Sequence, residues 1–469
     1  MVKFDLKKDT SSRYFSEIPD PIRKIIEEDN TIDGFSLIQT YRAQYFRLST
    51  TKTREFALKL RKFVNSNFPP TEIEDLNADI IFYGKDLNEK MSRFGRLPDK
   101  LAEKYEIALF SPSHKNLIKK KIFGKKSNLF NPLEFIDGRI RKKLDEENNN
   151  IYKKFEKRSE EIDEILEDYP KKKQNWKRII ELSYKLLYPT TVLHYLLWDK
   201  IVDSMKPKIV MVDDIFGSAS YPAILACKKN RIDSIVVQHG FGLPRSVKYE
   251  GEMENPDMIF VWGRRAKREM DKRYKSDIYA IGSLKYDDIS RDKIKLDKNT
   301  KKLFWPAVFV PKIEWLNKKI FLELCSFLDK NGNWTLVIKS HPEWENPPWI
   351  KRNIKNRKIK LIDRKIDSFK VINSSDCVLA YDTTVFLEAN IAGKPTIFYE
   401  QWGYLYELAK EYGFPIISDA SNIGEELEKN SKRIAIAQRK LVEDNISNLG
   451  KASEAACEII EKSLHGEDG

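Results

Sequence analysis

The chain has 469 residues, of which 41% are hydrophobic and 12% aromatic, enough for about two or three well-filled domains and too many for a disordered protein. Lys and Arg number 84 against 71 Asp and Glu, and the resulting formal net charge of +13 favours anionic partners such as nucleotides, phospholipid head groups or nucleic acid. Charge alone does not choose among these partners.

The four cysteines are far apart and form no C-x-x-C pair, which indicates a reducing compartment and argues against a structural zinc site. The first residues, MVKFDLKK, lack the apolar core of a secretory signal, and no apolar run of about 18 residues could span a membrane. We therefore expect a cytoplasmic protein, and we expect any membrane contact to be peripheral, at the inner face.

The N-terminal third is predicted to combine helices with the start of a parallel sheet. Residues 1–70 show aromatic and aliphatic residues at helical spacing and are expected to form a helical arm. An N-terminal Rossmann-like domain is predicted over 71–285, because apolar runs at 79–84 and 107–110 flank a helical pattern. Within it, residues 115–180 alternate basic and acidic clusters, which is typical of a charged helical insertion with solvated faces.

Polar residues follow two later strands of this predicted domain. The strand at 208–213 ends in Asp213-Asp214, and the strand at 235–237 is followed by Gln238-His239-Gly240. Gly240 permits a backbone path that other residues rarely follow and a close approach by a ligand. Since ligands of open α/β sheets bind at the carboxyl ends of the strands, we expect these residues at a site. Two more short strands, at 258–262 and 279–281, complete the predicted sheet.

A second Rossmann-like domain is predicted over 290–430, followed by closing helices over 431–469. Its pattern alternates strands and helices, and it carries the sequence KSHP at residues 339–342 and DTT at residues 382–384. The residue before a proline is extended, so His341 should lie at the end of a strand. Asp382, Thr383 and Thr384 suit a helix N-cap, where free N–H groups favour a phosphate. The predicted strands are 303–310, 335–339, 359–362, 377–380 and 396–399, and the predicted helices 313–330, 367–373 and 384–392.

This arrangement resembles the GT-B glycosyltransferases, over about residues 205–400, and especially the group around capsule polysaccharide transferases, sialyl- and Kdo-transferases and CDP-glycerol glycerophosphotransferases. The resemblance implies two domains facing a cleft. It further implies that His341 contacts the donor nucleotide, that Thr383 and Thr384 hold its phosphate, and that Glu388 binds the ribose hydroxyls. Here Asp382-Thr-Thr stands where Ser-Ser or Ser-Thr is commoner.

The catalytic residues implied by the resemblance are His239, as general base, and Asp213 with Asp214. A neutral imidazole suits proton removal from an attacking hydroxyl near neutral pH. The aspartate pair is similar to the acidic pair of sialyltransferases, although two residues separate it from Gly217. No metal and no cofactor is required, since the helix start, the hydroxyls and Lys339 or His341 would stabilise the leaving phosphate.

The expected function is transfer of a sugar from a nucleotide donor, CMP-linked or else UDP-linked, to a glycan or lipid-linked acceptor in surface polysaccharide synthesis. Three alternatives stay open: a CDP-alditol polyol-phosphate transferase, a UDP-sugar 2-epimerase of the same fold, and a non-enzymatic nucleotide or nucleic-acid binding protein. The epimerases' usual acidic cluster and arginine are not found around the early motif. No nucleic acid is expected, because the basic residues are interleaved with acids and no nucleic-acid module is recognisable.

Overall fold

The computed structural model describes residues 18–33, 35–36, 77–84, 87, 93–111, 129–213, 220–238, 254–289, 294–296, 299–309, 313–341, 345–354, 358–381, 383–400 and 403–466. Most of the expected helical arm and the beginning of the charged insertion lie outside these ranges. Within the arm, the structure describes helix α1 (Asp20–Asp29) and a short antiparallel ladder of β1 (Thr31–Ile32) and β2 (Phe35–Ser36).

The first large sheet has seven parallel strands. Its central strands read IIFY, IVMV and MIFV, and every residue in them is buried. Such continuous apolar runs are expected where helices cover both faces of a parallel sheet. The strands are β3 (Ile80–Tyr83), β4 (Ile107–Phe110), β5 (Leu129–Phe130), β6 (Ile209–Val212), β7 (Asp233–Val237), β8 (Met258–Val261) and β9 (Asp277–Ala280), in the spatial order β5-β4-β3-β6-β7-β8-β9.

The described part of the charged insertion is built into the core of this domain. Its long helix places apolar residues on one stripe, among them Ile140, Leu144 and Ile151, and this stripe joins the same buried cluster as α1. The charged residues occupy the remaining faces. The helices of this half are α2 (Leu97–Leu101), α3 (Gly138–Glu167), α4 (Lys173–Leu182), α5 (Tyr188–Met205), α6 (Ser220–Asn230) and α7 (Arg264–Met270).

The second sheet has six parallel strands and begins after a short connecting segment around residues 281–289. Its strands are β10 (Lys301–Ala307), β11 (Trp334–Ser340), β12 (Ile359–Ile362), β13 (Cys377–Ala380), β14 (Thr396–Tyr399) and β15 (Ile416–Ile417), in the order β12-β11-β10-β13-β14-β15. Its helices are α8 (Glu314–Lys330), α9 (Pro348–Asn353), α10 (Ser368–Asn373), α11 (Val385–Ile391), α12 (Tyr404–Tyr412), α13 (Ile423–Lys429) and α14 (Ser431–Asn445).

The chain then returns to the first half. A final helix, α15 (Ala452–His465), buries Ala456 and Ile460 in one apolar cluster with residues of β3 and α2. Two ion pairs flank this contact, Lys100–Glu454 at 2.6 Å and Lys104–Glu461 at 2.8 Å. The predicted fold class, an α/β protein of two Rossmann-like units with a closing C-terminal helix, is confirmed. In the described ranges we find no helix with the length and apolar character needed to cross a bilayer.

Candidate active site

Each sheet has a point where the strand order changes direction, and both points carry residues selected from the sequence. In the first sheet the order turns between β3 and β6, and in the second between β10 and β13. Crevices form beyond the carboxyl ends of the strands at such points, because the connections leave on opposite sides. Asp213 follows β6, while Tyr381 and Thr383 follow β13.

At the end of β11, Lys339 and His341 differ in burial. Lys339 is only 5% exposed and pairs in register with Pro306 of β10. The backbone N–H of His341 donates to the carbonyl of Ala307 at 3.1 Å, which extends the ladder by one bond, and its side chain is exposed. The strand therefore ends in a buried ammonium followed by an exposed imidazole.

The start of α11 carries the predicted hydroxyl pair. Thr383 is half-buried, and its Oγ1 accepts a hydrogen bond of 3.4 Å from the Val385 N–H. Thr384 is exposed and its side chain makes no capping bond. Asp382, the first residue of this motif, lies outside the described residues. The described geometry thus leaves the Thr384 hydroxyl available at the helix start.

Glu388, on the same helix, is 4% exposed and is held from the segment that connects the two sheets. Its Oε1 accepts from Lys285 Nζ at 2.8 Å and from the Tyr286 hydroxyl at 3.3 Å. Burial, and then the negative charge of Glu388, raise the pKa of Tyr286 well above its usual value, so the phenol stays a donor. The Lys285 ammonium offsets the burial of the carboxylate charge.

Lys339 adds a second positive charge to this region. Burial lowers the pKa of Lys339, Glu388 and Asp367 act in the opposite direction, and the neighbouring Lys285 lowers it further. In the described part of the chain its ammonium forms no hydrogen bond or ion pair. A buried lysine whose ammonium has no direct partner among the described residues is suited to an anionic ligand such as a phosphate.

At the first sheet, Asp213 is 5% exposed and forms an ion pair with Arg93, whose Nη1 lies 2.9 Å from Oδ2. Arg93 Nη1 also reaches the Asp213 carbonyl at 3.4 Å. A Cβ on Gly84, the residue after β3, would lie 2.9 Å from Asp213 Oδ2. The carboxylate therefore lies against the backbone of the neighbouring strand end, and only glycine leaves room for it.

Gln238 has a structural contact of its own at the end of β7. Its Oε1 accepts from the Trp262 N–H at 2.8 Å, and its own N–H donates to the Phe260 carbonyl at 2.9 Å. The side chain thereby ties the ends of β7 and β8 together. Asp214, His239 and Gly240 lie outside the described residues, so the proposed general base has no described geometry.

The structure thus brings some of the selected residues together and adds new ones. Lys339 and Glu388 lie within electrostatic range of each other at the second sheet, and Asp213 and Gln238 follow adjacent strands of the first. Arg93, Lys285 and Tyr286 were not expected from the sequence. Each lies more than 100 residues from its partner, at separations of 120, 103 and 102, and carries no motif. Among the described residues, no group of three or more His, Cys, Asp or Glu could hold a metal ion.

Comparison with known proteins gives the fold. Neither a protein-family model nor a curated protein matches this sequence. A candidate UDP-N-acetylglucosamine 2-epimerase of Listeria monocytogenes is similar in structure, with 14% identity, a TM-score of 0.56, and coverage of 84% of this chain and 98% of that one. S. aureus MnaA, solved in a co-structure with UDP, is 13% identical with a TM-score of 0.52, and the match covers 82% of this chain and 96% of that one.

The glycotransferase of kitacinnamycin is similar at 10% identity with a TM-score of 0.51, over 82% of this chain and 99% of that one. At these identities the likeness concerns the arrangement of helices and strands. Transferases and epimerases share that arrangement, so it does not choose between the two activities. The chain has a two-domain α/β fold of the GT-B type, as its motifs predicted.

Proposed function

We propose that this protein is an enzyme acting on a nucleotide-activated sugar, and that it is a glycosyltransferase. The observation that carries the proposal is the pair of buried charges at the carboxyl edge of the second sheet. There Lys339 offers an ammonium with no direct partner among the described residues and Glu388 a carboxylate, beside the start of α11. A nucleotide sugar has the complementary groups, a phosphate and a ribose with two hydroxyls.

Each residue has a part in holding the donor. Lys339 neutralises the phosphate, together with the Thr383 and Thr384 hydroxyls at the helix start. Glu388 accepts from the ribose hydroxyls, since a carboxylate has free lone pairs beyond those used by Lys285 and Tyr286. His341, exposed at the strand end, contacts the nucleotide.

The donor is proposed to be a pyrimidine nucleotide sugar. The motif resemblance favours a CMP-linked sugar, whereas the structural likeness to MnaA, solved with UDP, favours a UDP-linked one. The acceptor is proposed to be a glycan or a lipid-linked glycan of surface polysaccharide synthesis. His239 is proposed to remove the acceptor's proton, and Asp213 and Asp214 are proposed as the acidic residues of the catalytic site.

A second candidate is a UDP-sugar 2-epimerase. The observation that favours it is the similarity to the Listeria monocytogenes protein, which spans 98% of that chain. An epimerase would use the same nucleotide site, and it would invert C2 of the sugar without any acceptor.

The first test is calorimetric titration of the purified protein with CMP, CDP, UDP and GDP. We expect one pyrimidine nucleotide to bind, and we expect Lys339→Met and Glu388→Gln to weaken binding. The matched controls are Lys358→Met and Glu428→Gln, two exposed positions of the same half, which should bind like wild type. No binding at millimolar concentration would contradict the proposal.

Product analysis then separates the activities. Incubation of the matching nucleotide sugar alone, followed by NMR of the sugar, detects inversion at C2 and would identify an epimerase. Incubation with candidate glycan acceptors should release nucleotide and lengthen the acceptor by one sugar. Phosphate carried into the product would indicate transfer of a polyol phosphate instead.

A further inference from the structure

The segment that connects the two sheets is held firmly where it passes the second-sheet site. Gly282 has φ +101°, a region that favours glycine, and a Cβ there would lie 2.3 Å from the Ser447 carbonyl. The Asp287 carboxylate accepts from the backbone N–H groups of Ala452 and Ser453 at 2.8 and 2.6 Å. The residues between them therefore have a fixed backbone.

Tyr286 is anchored within this segment by its ring. The ring is 1% exposed and makes edge contacts with Trp262, at a centroid distance of 5.5 Å, and with Phe369 of α10, at 5.6 Å. Trp262 follows the first sheet and Phe369 belongs to the second half. The segment is thus packed between the two halves, and it presents Lys285 and the Tyr286 hydroxyl to Glu388.

We propose that Lys285 is a positioning residue of the nucleotide site, which holds the Glu388 carboxylate in an orientation in which it can accept from the ribose. This inference rests on the proposed function and extends it to a residue outside the second domain's motifs. Among the described residues, Lys285 and Tyr286 contact Glu388 directly, and Lys339 acts on it at longer range. Lys285 is the closer of these two cations, and the connecting segment fixes its backbone.

The physical consequence concerns the orientation of a buried acid. Without Lys285, the contact that remains to Glu388 Oε1 among the described residues is the Tyr286 hydroxyl at 3.3 Å. A buried carboxylate that has lost its charged partner is less well held, so it should accept less well from the ribose hydroxyls and nucleotide binding should weaken.

The experiment is nucleotide titration of Lys285→Met at neutral pH, using the pyrimidine nucleotide that wild type binds best. We expect an increase in Kd of about tenfold at neutral pH, the loss of roughly one charged hydrogen bond. Lys285→Arg, which keeps the charge, should stay closer to wild type than Lys285→Met.

Two comparisons separate positioning from a general loss of structure. Lys104→Met removes a 2.8 Å ion pair between the turn after α2 and α15 and should bind as wild type does. Tyr286→Phe removes only the hydroxyl, keeps the ring packing, and should weaken binding in the same direction by less. In a Glu388→Gln background, Lys285→Met should add little, because both changes act through one contact.

The results distinguish this inference from the function on which it rests. If wild type binds no nucleotide, the proposed function fails and this inference fails with it. If wild type binds and Glu388→Gln weakens binding, but Lys285→Met binds as tightly as wild type, the positioning role is wrong and the function stands. Full additivity of the two substitutions would also overturn the positioning role.

Discussion

The carboxylate of Asp287 caps the helix that begins at Ala452, from a position 165 residues earlier in the chain. Its Oδ1 accepts from the Ala452 N–H at 2.8 Å and its Oδ2 from the Ser453 N–H at 2.6 Å. The helix has no side-chain cap of its own, since Lys451 precedes it. Asp287 therefore supplies the negative charge and the acceptors that the N-terminus of α15 lacks.

Asp287→Ala should loosen this helix. The loss of a capping carboxylate costs about 1–2 kcal/mol of stability, and here the cap also joins the connecting segment to the closing helix. We expect faster amide hydrogen exchange in residues 452–465 and a lower midpoint of urea unfolding. Asp203→Ala, at an exposed position of α5, is the control and should leave both unchanged. Unaltered exchange in α15 of the Asp287 variant would show that the cap is not needed.

Gly84→Ala should disturb the Arg93–Asp213 ion pair. The new methyl group would lie 2.9 Å from both Asp213 Oδ2 and a ring carbon of Phe94, closer than Cβ contacts are found. We expect a loss of about 1–3 kcal/mol in the free energy of unfolding, as for other overpacked sites. Thermal unfolding of wild type and variant measures this loss of stability.

The control for this substitution is Gly138→Ala. Gly138 begins α3, and a Cβ there meets nothing within 4 Å, so the change should be neutral or slightly stabilising. Equal midpoints for wild type and both variants would mean that Asp213 can move aside without cost.

The positions of the central strands could be predicted because their signal is local. Residues 80–83, 209–212 and 377–380 are continuous apolar runs, each preceded by a charged residue, and all three are buried strands. The strand Leu129–Phe130 was not predicted, because two residues are too few to show a pattern. The strand expected at 303–310 begins at Lys301 and ends at Ala307. Lys301 and Lys302 pair in the ladder although the apolar run starts after them.

The candidate site could be predicted only in part, for a similar reason. Glu388 was selected because the resemblance implies a ribose-binding carboxylate on this helix, and the structure places it, 4% exposed, in contact with the connecting segment. Nothing in its neighbourhood of the sequence indicates that Lys285 would pair with it. Three-dimensional packing decides which element of one half covers a helix of the other half. A single sequence does not show this packing.

The stability of the protein should fall between pH 10 and 12, in part through Tyr412. Burial, and then a hydrogen bond to Asp444, raise the pKa of Tyr412 to about 12. Above the ordinary tyrosine pKa of about 10, the unfolded chain loses this proton while the folded protein keeps it. The stabilising contribution is complete below that value and is lost as the pH rises through the folded pKa.

The free energy of unfolding of Tyr412→Phe should therefore fall less steeply with rising pH than that of wild type in this range. Urea unfolding at several pH values from 8 to 12 measures the slope. Because the hydroxyl donates to Asp444 at 2.7 Å, the variant should be less stable than wild type at pH 8, and the two curves should approach each other toward pH 12. Parallel curves would mean that Tyr412 ionises in the folded protein as it does in water.

Nucleotide binding should weaken at alkaline pH through Lys339. Burial lowers the pKa of this ammonium, so it loses its proton earlier than an ordinary lysine as the pH rises. The charged form attracts a phosphate, so affinity should be complete below the lowered pKa and should fall above it. Calorimetric titration from pH 7.5 to 10 measures this fall, in a range where the phosphate charge is constant because its second pKa is about 6.

Lys339→Arg tests the assignment, since a guanidinium keeps its charge throughout this range. The affinity of this variant at pH 7.5 should be lower than that of wild type. Lys339 is only 5% exposed, and the larger guanidinium does not fit the space around its side chain. The affinity should nevertheless stay constant up to pH 10. Lys358→Arg, at an exposed position before β12, should follow the wild-type curve. If the Lys339 variant loses affinity over the same interval as wild type, another group titrates, and Lys339 does not contact the phosphate.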